Sequence, residues 1–74
     1  MYKFVLKQNE EFIKLGQLLK AINLVSSGSE GKMAILDGEV EVNGEVCLMR
    51  GKKIHNGDRV SFRGETVEIV AEDA

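Results

Sequence analysis

Four cations stand close together in "MRGKKIHNGDRV", residues 49–60: Arg50, Lys52, Lys53 and Arg59, against the single acid Asp58. Such a group can hold an anion, because Arg grips phosphate or carboxylate bidentately and Lys supplies a mobile point charge. The whole chain carries a formal net charge of -2, so its cations are concentrated rather than abundant. Residues 46–63 hold five bases and Asp58, a block of +4, while residues 30–45 hold five acids and Lys32, a block of -4. Residues 1–29 stand at +2 and residues 64–74 at -4. Blocks of this kind create local fields that the total conceals.

Other chemistry is scarce. His55 is the only histidine, which rules out a paired-histidine metal site, and beside Asn56-Gly57 it reads as a solvated turn imidazole. Ser61 and Asp58 are near it in sequence, but strand geometry gives no reason to align them as a nucleophile system. Gly51, Gly57 and Gly64 do not form a phosphate loop between a strand and a helix. Cys47, between Val46 and Leu48, reads as a small buried hydrophobe; a single cysteine forms no internal disulfide and agrees with a reducing compartment. Glu39, Glu41 and Glu45 alternate along a strand and read as a solvated outer face. An enzyme is therefore not expected, nor is a cofactor or metal.

The elements that must position the cations follow from periodicity. Seventy-four residues make one small domain, of a size that buries only about 60% of the surface of its unfolded chain. The composition, 43% hydrophobic and 30% charged with no proline, is that of an ordinary soluble globular protein. Its 5% aromatic content leaves few platforms for stacking bases. No stretch approaches the roughly 20 apolar residues of a membrane span, and the opening "MYKFVLKQNEE" is charged too soon for a signal peptide, so a cytoplasmic location is expected. "YKFVL" suits a short first strand. Phe12, Leu15, Leu18, Leu19 and Ile22 then share one helical face. "SSGSEGKMAILDG" reads as a second helix, with Ser27 and Glu30 as a capping box and Gly38 as the stop. Gly16 and Gly31 are plausible points of close approach between the two helices. From Glu39 the period becomes two, with a hairpin at Asn43-Gly44 and another at Gly64-Glu65, a pair suited to a type II′ turn. Val60, Phe62, Val67 and Ile69 should share a buried face. The expectation is an α+β domain: two short packed helices covering one face of a small, mainly antiparallel sheet of about four to five strands.

"SSGSEGKMAILDGEVEVNGEV" followed by "KKIHNGDRV" resembles the S4-type RNA-binding domain. The resemblance is carried by Ser27, Gly31, Ile35, Gly38, Val40, Val42, Asn43, Gly44, Ile54, Gly57, Asp58 and Val60. It spans residues 12–62 as a motif core within a single domain, 1–74. Closer still are the small stand-alone bacterial YaaA/YbcJ-like members, which share "LGQLLK", here Leu15 to Lys20, and a basic segment before Gly-Asp, here "MRGKK" at Met49 to Lys53. Met49 stands where those relatives usually carry an Arg, and Gly28 and Ser29 stand where the broader family often has Arg.

The resemblance implies an S4-like (αL RNA-binding motif) fold. It implies a surface of two helices and the basic segment facing an RNA backbone, with Lys14, Ser27, Ser29, Lys32, Arg50, Lys52 and Lys53 as RNA-binding residues. Lys14 occupies the usual basic position opening the first helix. Physical chemistry supports such a surface: the start of the second helix offers free amides and a positive dipole end, although Glu30 competes there. Arg50, Lys52, Lys53 and Lys32 could make about four phosphate contacts, which on single strands gives a salt slope of about -2.8, roughly a fifty-fold affinity loss from 50 to 200 mM salt. Recognition would be modest and led by the shape of structured RNA, suiting a ribosomal RNA or ribosomal particle where further contacts add avidity. The expected protein is a monomeric, non-enzymatic RNA-binding module without a membrane partner.

Composition alone would make "RGKK" a solvated turn, and Lys14 and Lys20 solvated helix positions; the family pattern reverses this for "RGKK". Arg59 reads as a strand residue and Asn43-Gly44 as a turn former. The chief rival is a small protein-interaction adaptor using the acidic strand face (Glu39, Glu41, Glu45) or the acidic tail. A β-grasp sulfur carrier is poorly supported, because "AEDA" lacks a terminal Gly-Gly.

Overall fold

The structure, a computed structural model, describes residues 2–72; Asp73, the last acid of the tail, lies outside them. Within these residues the chain forms β1 (Tyr2–Leu6), β2 (Ile13–Lys14), α1 (Leu15–Ala21), α2 (Gly28–Leu36), β3 (Val40–Val42), β4 (Glu45–Val46), β5 (Lys53–Ile54), β6 (Arg59–Phe62) and β7 (Glu65–Ala71). The main sheet has five strands in the order β1-β7-β6-β3-β4, and β2 pairs with β5 as a separate two-stranded piece. All pairings are antiparallel except β1 with β7, which runs parallel from Tyr2 opposite Val67 to Leu6 opposite Ala71. The expected architecture, two helices on a mainly antiparallel sheet, is the observed one. No helix among the described residues is long and apolar enough to cross a membrane.

Alternation decides which face of the sheet is covered. Val40 and Val42 of β3, Val60 and Phe62 of β6, and Val67 and Ile69 of β7 are all buried, and Leu15, Leu18, Leu19, Ala34 and Ile35 of the helices join them in one core. Gly31 is buried where the helices meet: a Cβ there would stand 3.4 Å from Val25 Cγ2 and 3.8 Å from the Gly16 carbonyl oxygen. Both helices end on a left-handed residue, Asn23 (φ 60) after α1 and Gly38 (φ 77) after α2. In each case the paired backbone bonds of a Schellman cap follow: Leu24 N to Leu19 O with Asn23 N to Lys20 O, and Glu39 N to Ala34 O with Gly38 N to Ile35 O.

Two local expectations fail for identifiable reasons. The first helix begins at Leu15, not Phe12, because Ile13 and Lys14 are drawn into pairing with Ile54 and Lys53. The second hairpin turns on Arg63-Gly64, not Gly64-Glu65: Phe62 pairs with Glu65, and positive φ at both Arg63 (49) and Gly64 (82) gives a type I′ turn like that at Asn43-Gly44. A non-glycine residue at positive φ carries strain. Arg63 is held there by two 3.1 Å hydrogen bonds to the Glu39 carboxylate and by stacking 4.8 Å over the Phe62 ring.

Candidate nucleic-acid interface

The basic segment is positioned by its backbone. Helix α1 has no side-chain N-cap, so its first amides need acceptors from elsewhere. The carbonyls of the basic segment supply them: Leu15 N donates to Lys52 O (2.9 Å) and Gly16 N to Arg50 O (3.0 Å). A turn bond from Lys52 N to Met49 O (3.1 Å) closes the segment, and Ile54, fully buried, pins its far end opposite Ile13. Residues 50–53 thus lie along the start of α1, the Arg50 and Lys52 carbonyls engaged and the side chains of Arg50, Lys52 and Lys53 exposed.

This arrangement sets Lys14 directly opposite Lys53. Like charges facing each other across a strand pair are destabilising, so the fold retains here a juxtaposition that stability alone would not select. Lys53 Nζ also stands 4.9 Å over the ring of Phe12, which in turn lies 6.0 Å from the His55 ring. Phe12, expected on the core face of the first helix, instead braces a lysine and an imidazole outside it.

A shallow cleft of about 340 Å³ opens beside the segment, lined by Lys14, Gly16, Gln17, Lys20, Gly28, Arg50 and Gly51. It brings Lys14 and Arg50 together with the first residue of α2, and it adds Lys20, which the sequence reading had set aside as solvated. Lys14, Gln17 and Lys20 recur every three residues, a spacing that could have pointed to Lys20 beforehand. Lys32 and Ser29 are exposed on α2 outside this lining. Ser27 is engaged as the N-cap, accepting from Glu30 N at 3.2 Å. The return half of the expected capping box slips by one residue, since the Glu30 carboxylate accepts from Ser26 N (3.3 Å) and Ser26 Oγ (2.9 Å).

The cations fall into two populations. Arg59 pairs with Glu68 (3.7 Å) and Arg63 with Glu39 (3.1 Å), both across the sheet. Among the described residues, none of Lys14, Lys20, Lys32, Arg50, Lys52 and Lys53 has a carboxylate within ion-pair distance. The acidic strand face also divides. Glu39 is taken up by Arg63, and the register that sets Val42 opposite Glu45 places Glu45 on the other side of the sheet from Glu41.

Asn43 and Asp58 work as one structural unit. Asn43 Nδ2 donates to Asp58 Oδ1 (3.0 Å), Arg59 N donates to Asn43 Oδ1 (2.9 Å), and His55 N donates to Asp58 Oδ2 (2.8 Å). Burial raises the Asp58 pKa, but the His55 amide, the Asn43 side chain and the nearby His55 and Lys52 charges outweigh it, leaving the carboxyl below its ordinary 3.8. His55 itself is exposed, with Nδ1 3.9 Å from Asp58 Oδ2. No group of three or more His, Cys, Asp or Glu among the described residues is placed to hold a metal ion.

A family model described as the S4 domain matches residues 6–70. The chain belongs to the S4 domain family. It is 41% identical over 59 residues to YbcJ of Escherichia coli (strain K12), covering 80% of this chain and 84% of that one. It is also 41% identical over 54 residues to a Bacillus subtilis (strain 168) protein named "Probable ribosome maturation protein RlbA", covering 73% and 76%. The solution structure of YbcJ from E. coli, described as revealing an αL motif involved in RNA-binding, superposes with a TM-score of 0.71 at 38% identity. That match covers 96% of this chain and 89% of the other.

Within this S4 domain, the most recognisable motif residues are scaffold. Asn43, Gly44, Gly57 and Asp58 build turns and the bonds between them, with positive φ at Asn43 (53), Gly44 (86) and Gly57 (94). The exposed cations form a separate layer laid over that scaffold.

Proposed function

We propose that residues 1–74 act as a single, monomeric, non-enzymatic module in the cytoplasm that binds structured RNA through its backbone and shape. The observation that carries this reading is the set of cations along α1 and the segment capping it that, among the described residues, have no carboxylate within ion-pair distance: Lys14, Lys20, Arg50, Lys52 and Lys53, with Lys32 on α2. Leaving so many like charges together is costly unless an anion neutralises them. Ser29 and the first turn of α2 flank the same face, and Ser27 contributes by holding that turn in place. YbcJ's αL motif, described as involved in RNA-binding, supports RNA as the polyanion, and the name of RlbA supports ribosomal RNA or a ribosomal particle, in an assembly or associated role.

The test is co-sedimentation of the protein with ribosomal particles and binding to structured RNA at low salt, comparing wild type with a Lys52→Glu/Lys53→Glu variant. Wild type should bind, with affinity falling roughly fifty-fold between 50 and 200 mM salt for about four single-strand phosphate contacts, and the variant should not. A flat salt response would remove the phosphate mechanism. Partner capture that survives the double reversal would favour a protein adaptor instead.

A further inference from the structure

The turn that presents the basic segment has a second cleft on its flank. Arg50 and Gly51 line the cationic cleft, while Met49 and Lys52, the two ends of the same turn, line another of about 470 Å³ with Val42, Glu45, Val46 and Leu48. The second cleft has more large apolar side chains in its lining than the first, set beside the polar Asn43, Glu45 and Lys52. Val46 (57% exposed), Leu48 (55%) and Met49 (67%) project into water, whereas fourteen other hydrophobic residues among those described are buried. Its volume falls in the range of about 300–1,000 Å³ typical of small-molecule sites.

We infer that this cleft is a subsite for one unpaired nucleobase of the RNA whose phosphates the neighbouring cations hold; the inference rests on the RNA-binding reading above. Protein readers of RNA commonly take up single unstacked bases, pairing an apolar surface for the ring with polar groups for its edge. Met49, Leu48 and Val46 supply aliphatic surface in place of the missing aromatics, and methionine adapts to irregular partners. Lys52 is the link between the two clefts: it lines the second one and belongs to the basic segment, so a strand gripped at its phosphates along residues 50–53 has a base within reach. Glu45 at the rim is an acceptor without a hydrogen-bond partner among the described residues. A carboxylate accepts from the exocyclic amine of cytosine or adenine and finds no such donor on uracil. A protein partner fits less well, because a stable interface covers about 800 Å² on each side and three side chains do not approach that.

Cys47 gives the site its own reporter. It is the only cysteine, lines the cleft, and its Sγ sits 3.6 Å from the Met49 carbonyl oxygen. The experiment uses two RNA hairpins with the same stem, one blunt and one with a single unpaired cytidine at its end. It measures affinity at low salt and the rate at which a small maleimide modifies Cys47. The unpaired cytidine should tighten binding by about threefold, less than the roughly fivefold or more that stacking on an aromatic side chain supplies, and only that hairpin should slow Cys47 modification. Leu48→Ala/Met49→Ala alters exposed side chains and should abolish the difference while the blunt hairpin still binds. Replacing the cytidine by uridine should reduce the gain. Equal affinity and equal Cys47 reactivity with both hairpins would overturn the subsite and leave the RNA reading standing. Failure of both hairpins to bind would overturn both. Cys47 protection that grows with protein concentration in the absence of RNA would overturn it in favour of a second copy of the chain.

Discussion

Two kinds of cation share this small surface, and their surroundings differ in one respect. Arg59 of β6 is matched to Glu68 on β7, and Arg63, in the turn after β6, to Glu39 just before β3. Lys14, Lys20, Arg50, Lys52 and Lys53 lie along α1 and the segment that caps it, and none has a carboxylate within ion-pair distance among the described residues. The chain has acids to spare, twelve against ten bases. The difference is one of contact: Glu30 stands in the first turn of α2 and Asp58 lies near enough to Lys52 to feel its charge, yet among the described residues no carboxylate comes within ion-pair distance of these cations. Lys3 and Lys7, on and just after β1, are exposed and, among the described residues, unpaired as well; what sets the α1 group apart is that Lys14 faces Lys53 across a strand pair and shares a cleft with Lys20 and Arg50.

The sharpest way to break that comparison is to change the two populations equally. Lys52→Gln/Lys53→Gln and Arg59→Gln/Arg63→Gln alter the net charge by the same amount. The first should lower RNA affinity by more than tenfold and flatten the salt slope by about 1.4, the share of two single-strand contacts; the second should leave affinity and slope unchanged. Equal losses in a filter-binding titration would mean that only net charge matters.

The scaffold side of the comparison is tested at Asn43. Asn43→Ala loses hydrogen bonds to Asp58 and to Arg59 N and leaves alanine at a positive φ (53). The expected cost is about 2 kcal/mol, seen as a fall in thermal midpoint on the order of 10 °C for a domain of this size. Asn43 also borders the proposed base subsite, so it is affinity for a blunt hairpin, measured well below that midpoint, that should hold. A loss of binding without a loss of stability would move Asn43 from scaffold to interface.

A smaller effect is expected from Asp58. Its folded-state pKa is lowered, so its carboxylate contributes stability that is fully present above the unfolded value and is lost as pH falls through the folded one, below 3.8. Asp58→Asn should therefore cost stability at neutral pH and narrow the gap to wild type in acid denaturation. A constant gap between pH 6 and pH 3 would show that the charge of Asp58 contributes nothing.

Periodicity and turn chemistry carried most of the fold. The alternation in "RVSFR" and "TVEIV" named the buried face, and Ser27 and Gly38 bounded α2. What escaped was set by partners distant in sequence. Phe12 has helical spacing with Leu15 and Leu19, and only the pairing of Ile13 and Lys14 with Ile54 and Lys53, about forty residues on, delays the helix to Leu15. Arg63 is an unexpected turn residue until Glu39 is seen to hold it. For the site, the motif fixed the basic segment, but nothing local shows that its carbonyls cap α1 or that Lys20 joins Arg50 across a cleft.

The parallel pairing of β1 with β7 has a consequence for how the chain assembles. Tyr2 meets Val67, so almost the whole polypeptide must be gathered before this contact can form, at a loop-closure cost of about 4 kcal/mol. The cation-bearing elements α1, α2 and β5 lie inside that loop and make contacts of shorter range. Their hairpins and helix pair can organise first, with β1 closing the edge of the sheet afterwards. Pulsed amide exchange during refolding should then protect Val60 and Val67 before Phe4 and Leu6, whose amides face β7, making the first strand in sequence the last to be secured.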